Sequence, residues 1–161
     1  MSRSTQQDRS TRKELDPDLG ILAVQFAAGL QRELFRRAAE DGFDDARPRH
    51  GAVLAYLDAD GTRPGELARL AGRNKQTMGA IIDELERLGY VRRTPDPADR
   101  RAKLVVPTER GLRFMAVTDG IVEAIERELG DALGQDRYRE FRGALRAAVT
   151  ALPEAGGDAE G

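Results

Sequence analysis

The chain has 161 residues, 34% of them charged, and a formal net charge of −2; its length suits one domain, or one domain with a helical extension. It holds no cysteine and a single histidine, His50. That excludes disulfides, thiolate metal sites, a cysteine nucleophile and any multi-histidine metal centre within one chain. No long apolar run suggests a membrane helix, and the N-terminus lacks a signal-peptide core, so a cytoplasmic protein is expected. The small net charge conceals an uneven distribution. Residues 62–111 contain 11 Lys or Arg and 7 Asp or Glu, a balance of +4 that leaves −6 for the remainder. A cationic segment in an anionic frame draws phosphate towards one region.

Residues 1–15 are polar and carry Arg3, Arg9, Arg12 and Lys13. They read as a disordered tail, with a DNA-touching arm as the alternative. Asp16-Pro17-Asp18 suits a helix start, with Asp16 as the capping carboxylate and Pro17 at the first helical position. Leu19, Leu22, Phe26, Leu30, Leu34 and Ala38 then recur at helical spacing as far as Asp41-Gly42. Pro48 opens a second helix carrying Val53, Leu54, Tyr56 and Leu57 and ending at 58–61. His50, near its start, suits a cap, core or surface role better than a ligand role. Thr62 and Arg63 can add a one-bridge strand to a later hairpin.

The central stretch is more specific. Pro64 to Ala71 forms a short amphipathic helix that Gly72 ends, and Arg73 completes a tight turn. Asn74 caps a second helix whose Met78, Ile81, Ile82, Leu85 and Leu88 form an apolar stripe ending at Gly89. Short helix, Gly-containing turn and longer helix make the helix-turn-helix pattern, in which the second helix enters the major groove. Its acids Asp83, Glu84 and Glu86 would repel phosphate, so they must point away or pair locally; Arg87 is spaced to pair with Asp83 and Glu84.

Tyr90-Val91-Arg92-Arg93 can pair with Lys103-Leu104-Val105-Val106 across a loop holding Pro95, Asp96, Pro97 and Asp99. In the second strand Ala102, Leu104 and Val106 alternate with Arg101, Lys103 and Val105, the period of a half-buried strand. Arg92, Arg93, Arg100, Arg101 and Lys103 lie on or beside a ribbon too small to bury them. Alone, this would be a solvated edge hairpin. Behind a helix-turn-helix it reads as a wing that reaches phosphates or a minor groove.

Thr108 caps a long helix with Leu112, Met115, Ile121, Val122, Ile125, Leu129 and Leu133 on one stripe, where Gly111 and Gly120 are tolerated at a cost of about 1 kcal/mol each. Gly134 marks a turn before a last helix with Tyr138, Phe141, Leu145, Ala148 and Leu152, which Pro153 stops. Residues 153–161 read as a second disordered tail. These outer helices hold more apolar surface than a winged helix needs, which fits either a larger monomer core or a two-fold dimer.

Glu66-Leu67-Ala68, Asn74-Lys75-Gln76-Thr77, Leu85 to Val91, Asp99-Arg100-Arg101-Ala102-Lys103 and Pro107 to Gly111 resemble the MarR family of winged-helix regulators. The resemblance implies a mainly α fold with a small β wing, the winged helix-turn-helix (47–111) being flanked by dimerisation helices (16–46 and 112–152). It implies double-stranded DNA as partner, with Lys75, Gln76 and Thr77 facing base edges and phosphates; Arg73, Asn74, Arg92, Asp99, Arg100, Arg101 and Lys103 complete the candidate DNA-binding residues. Arg101 would enter the minor groove at the wing tip, and Asp99 would hold it by a salt bridge. One position departs from the family: Gly79-Ala80 stands where a Ser-Arg pair is usual, which removes the commonest base-specific contact, arginine to guanine.

The resemblance also places a small-molecule cleft between the dimerisation helices and the winged domain, with Phe26, Leu30, His50, Tyr56, Phe114 and Met115 as candidate lining and a lipophilic or phenolic compound as candidate ligand. The leading reading is a homodimeric repressor released from a palindromic operator by such a ligand. The alternatives are a constitutive DNA-binding regulator and a winged-helix protein-interaction module. No phosphate loop, Gly-x-Ser-x-Gly elbow or histidine pair suggests an enzyme, and no cofactor, catalytic residue or metal site is expected.

Overall fold

The computed structural model describes residues 16–99 and 101–152. Both predicted tails, and Arg100, lie outside them. Helix α1 runs Leu19–Glu40, with its N-terminus capped two residues later than expected: the Asp18 carboxylate accepts the Ile21 N–H at 3.0 Å. Two aspartates offered two registers, and Pro17 sits in the lead-in rather than in the first turn. The helix stops at Asp41-Gly42 as predicted, with Gly42 at φ +90°.

The second helix is shorter than the sequence implied. Pro48–His50 is a 3-10 turn, and α2 covers Gly51–Leu54 only. The chain then turns, and the Thr62 hydroxyl accepts the Asp58 N–H at 3.0 Å. One helical turn plus this loop already buries Val53, Leu54 and Leu57, while Tyr56 is left largely exposed.

Helices α3 (Pro64–Leu70) and α4 (Lys75–Arg87) form the helix-turn-helix. Gly72 in the turn has φ +59°, a region that a side chain bearing Cβ disfavours. Strands β1 (Val91–Pro95) and β2 (Lys103–Pro107) pair antiparallel, Arg93 opposite Val105. Thr62 bridges the far side of Val105, with both backbone hydrogen bonds at 2.9 Å. This is the predicted one-bridge strand, and it overturns the simple alternation in β2. Val105 is fully buried, because its outer face is covered rather than open to water.

Helix α5 spans Glu109–Leu133 and α6 spans Gln135–Ala151. Thr108 caps α5 by accepting the Gly111 N–H at 3.1 Å. Gly111 is required rather than merely tolerated: a Cβ there would lie 2.1 Å from the Tyr90 carbonyl oxygen. Helix α1 packs on α5, and α5 on α6. The core that ties these helices to the winged unit is aromatic. Phe114 meets Phe43 and Tyr90 edge-on, with ring centroids 5.2 and 5.3 Å apart, and Phe35 at 6.2 Å. Such geometry sets the weakly positive ring edge against the negative face. By contrast, α6 buries no residue, and Leu145, Val149 and Leu152 stay exposed, as do Leu19, Leu22 and Val24 of α1.

Candidate nucleic-acid interface

The polar start of α4 is where the sequence placed it. Asn74 accepts the Thr77 N–H at 2.7 Å, which fixes the first turn. Arg73, Asn74, Lys75, Gln76 and Thr77 are all exposed, whereas Met78, Ile81, Ile82 and Leu85 are buried on the opposite face. Ala80 is exposed too, and a Cβ added at Gly79 would meet nothing within 4 Å. The helix therefore offers cations and amide or hydroxyl groups at one end, with a bare patch behind them.

The three acids of α4 are diverted, but not to Arg87, which makes no ion pair among the described residues. Asp83 and Glu86 go to Arg93 of β1, at 2.6 and 2.5 Å. Glu86 also accepts the Arg93 backbone N–H at 3.0 Å. Arg93, counted from sequence among the free cations of the wing, is thus the brace between wing and recognition helix. Burial alone would lower its pKa, but the two carboxylates outweigh that and raise it. Arg87 and the acids share a helix, and helical spacing says nothing about a partner arriving from another element.

Glu84 takes a different partner set. Arg49 donates to it through Nε and Nη2 at 2.7 and 2.5 Å. The Arg49 hydrogen bonds, and then His50, hold the Glu84 carboxyl at about 2, well below its ordinary 4.5. His50 is fully buried; its Nδ1 accepts the Arg47 N–H at 3.0 Å. Its Nε2 lies 3.1 Å from Glu84, off the line of a hydrogen bond. His50 therefore serves as cap and core.

The wing tip has an anchor that the sequence reading passed over. Asp96 is buried; its carboxylate accepts the Ala98 N–H at 2.8 Å and the Arg63 Nε–H at 2.7 Å, and Arg63 Nη2 lies 2.6 Å from it in an ion pair. The Ala98 N–H and then Arg63 hold its pKa below the ordinary value. Arg63 immediately precedes α3, so the loop is clasped to the helix-turn-helix. The signal available was an acid between two prolines, a common turn pattern that does not reveal a distant arginine. Arg92, Asp99, Arg101 and Lys103 are exposed on the wing. The expected Asp99–Arg101 salt bridge is not formed: Asp99 instead accepts the Arg101 backbone N–H at 3.0 Å. Two residues apart in a turn, a short carboxylate reaches the main chain more readily than the end of the long side chain.

The candidate cleft residues separate into two groups. Phe26 and Leu30 line a groove of about 390 Å³ between α1, α5 and α6, whose other walls include Leu129, Phe141, Arg142 and Leu145. Phe114 and Met115 line a second concavity, about 230 Å³, between α1, α2 and α5. His50 and Tyr56 line neither. Among the described residues no group of acids and histidine could hold a metal ion, and no helix is long and apolar enough to cross a membrane.

A reading helix with a capped polar start, acids withdrawn into ion pairs and a clasped basic wing defines a winged helix-turn-helix DNA-binding protein. Residues 45–102 match the profile of the MarR family. The transcriptional regulator HosA of Escherichia coli O111:H- is 27% identical over 108 residues, 67% of this chain and 80% of that one. The crystal structure of CouR from Rhodococcus jostii RHA1 bound to p-coumaroyl-CoA superposes with a TM-score of 0.68 at 26% identity, covering 86% of this chain and 96% of that one. CouR bound to a 23-mer DNA duplex gives 0.70 over the same shares at the same identity. The chain thus carries a MarR-family match over residues 45–102, and it is a DNA-binding transcriptional regulator and not an enzyme.

Proposed function

We propose that the protein is a homodimeric repressor that binds a palindromic operator and is released by a small molecule. The observation that carries the DNA reading is the withdrawal of Asp83, Glu84 and Glu86 into Arg93 and Arg49, which leaves Arg73 to Thr77 as the free end of α4. Residues 47–111 form the DNA-binding unit in this reading, with Lys75, Gln76 and Thr77 at base edges and phosphates, and Arg92, Arg101 and Lys103 on the backbone and minor groove. Helices within 16–46 and 112–152 form the dimer. The exposed apolar residues of α1 and α6 support that assignment, since an uncovered face of this kind marks an interaction surface. Two-fold symmetry would set the recognition helices about 34 Å apart, one turn of DNA.

A ligand acts only through its differential affinity for two lobe spacings. The two concavities flanking α1 offer apolar sites for one, and a CoA thioester bound to the similar protein CouR supports a lipophilic or phenolic acid derivative. The protein acts in the cytoplasm, where its DNA is. Selection of bound sites from random DNA, with and without a panel of phenolic and lipophilic anions, tests the reading. Symmetric half-sites one turn apart, lost on adding a compound, are expected. Enrichment unmoved by every compound would leave a constitutive regulator, and no salt-dependent enrichment at all would leave a protein-interaction module.

A further inference from the structure

We propose that Arg49, which belongs neither to the helix-turn-helix nor to the wing, is a further phosphate-contacting residue of the DNA interface, aimed by Glu84. The inference rests on the DNA-binding reading above. On α4, Thr77, Ala80 and Glu84 follow one another at three- and four-residue spacing and so share a face, and Arg73 of the preceding turn lies beside it. Gly79-Ala80 leaves that face without a long side chain. Arg49 comes from the 3-10 turn before α2, yet it lines the same concavity of about 300 Å³ as Arg73, Thr77, Ala80, Ile81 and Glu84. A cation from a neighbouring element therefore borders the surface from which the recognition-helix arginine is missing.

The guanidinium geometry separates this arrangement from an ordinary surface pair. Glu84 occupies one edge of the fork, through Nε and Nη2. Nη1 makes no hydrogen bond among the described residues, and the side chain is 58% exposed. A guanidinium has five donors, so a pair of them remains for an anion while the carboxylate fixes the plane. Glu84 is itself set against the buried His50, at 3.1 Å. An arginine already held in one orientation loses less side-chain freedom on binding phosphate. Because Arg49 lies beside the recognition helix, its partner is the DNA backbone flanking the major groove, a contact that positions without specifying sequence.

The test measures affinity across salt concentrations for a duplex recovered by random selection and for an unrelated duplex. Arg49→Ala should make the slope of log affinity against log salt shallower by about 0.9, the increment for one neutralised phosphate. It should also weaken binding to both duplexes alike, and Arg49→Lys should restore the slope. If Arg49→Ala lowers the melting temperature but leaves the slope unchanged, Arg49 only braces Glu84 and the inference is overturned while the DNA reading stands. If the unmutated protein shows no salt-dependent affinity for either duplex, the DNA reading itself fails and this inference with it.

Discussion

Arg93 and Glu86 are joined twice, once through the guanidinium at 2.5 Å and once through the Arg93 backbone N–H at 3.0 Å. One is on the wing and the other on the recognition helix, seven residues earlier. The pairing neutralises a negative charge on the helix proposed to approach phosphate, and it ties that helix to the wing. A single arginine thus bears on both the charge and the shape of the proposed interface.

Arg93→Ala should therefore weaken DNA binding by more than the loss of one exposed cation. Two carboxylates, those of Asp83 and Glu86, are released next to the duplex, and the wing loses its brace. Folding stability should fall by only about 1 kcal/mol, since the pair is partly solvated. Equilibrium binding and chemical denaturation on the same variant separate the two effects. Equal binding by the variant would show that the acids never face phosphate.

Asp96→Ala should also weaken DNA binding, although it deletes an anion from a cationic wing. Without its carboxylate, Arg63 is released and the Ala98 N–H loses its acceptor. Protease digestion should then cut within 94–101 faster than in the parent protein. A variant that binds more tightly and resists cleavage would mean that the clasp is not needed.

Asp99→Asn should bind DNA nearly as well as the parent, and Asp99→Ala should bind less well. The Asp99 oxygen accepts a main-chain N–H from Arg101, a task that an amide oxygen also performs. A salt bridge would not survive the change to Asn. Affinities of both variants for one operator duplex decide between the two roles.

Gly111→Ala should destabilise the fold by about 1–3 kcal/mol, the range for forcing an extra carbon into a packed site. The new Cβ would strike the Tyr90 backbone at 2.1 Å, pushing the start of α5 away from the wing. Urea denaturation measures it. A neutral result would show that this junction can relax.

The Glu84 carboxyl titrates near 2 rather than 4.5, so its folded form is held in the charged state. The stability it contributes is complete above about pH 4.5 and is lost as pH falls from there towards 2. The difference in melting temperature between the parent and Glu84→Gln should accordingly be constant near neutrality and shrink below pH 4.5. A difference that persists unchanged into acid would assign the effect to packing.

Most of the helix-turn-helix was legible in the sequence, because its determinants are local. Asn74 caps a helix three residues away, Gly72 relieves one backbone angle, and Met78 to Leu85 repeat at the pitch of the helix itself. The hairpin followed from the same short-range rules, whereas the Thr62 bridge to Val105 was expected only because winged helices often have one. What failed were pairings between elements. Glu84 was expected to pair with Arg87, Arg93 counted as a free wing cation and Asp96 had no assigned partner, and each found its partner elsewhere in the fold.

The order of chain segments, the capped polar start of α4 and the cationic character of 62–111 were determined by the sequence alone, since each depends on residues a turn or two apart. Only the tertiary structure decided which cations remain free for an anion and which are consumed as braces. A long arginine side chain reaches whichever carboxylate the packing of separate elements brings near it. It also decided that Gly111 is indispensable and that α1 and α6 keep an apolar face uncovered, because close approach and burial are properties of the packed chain rather than of any window along it.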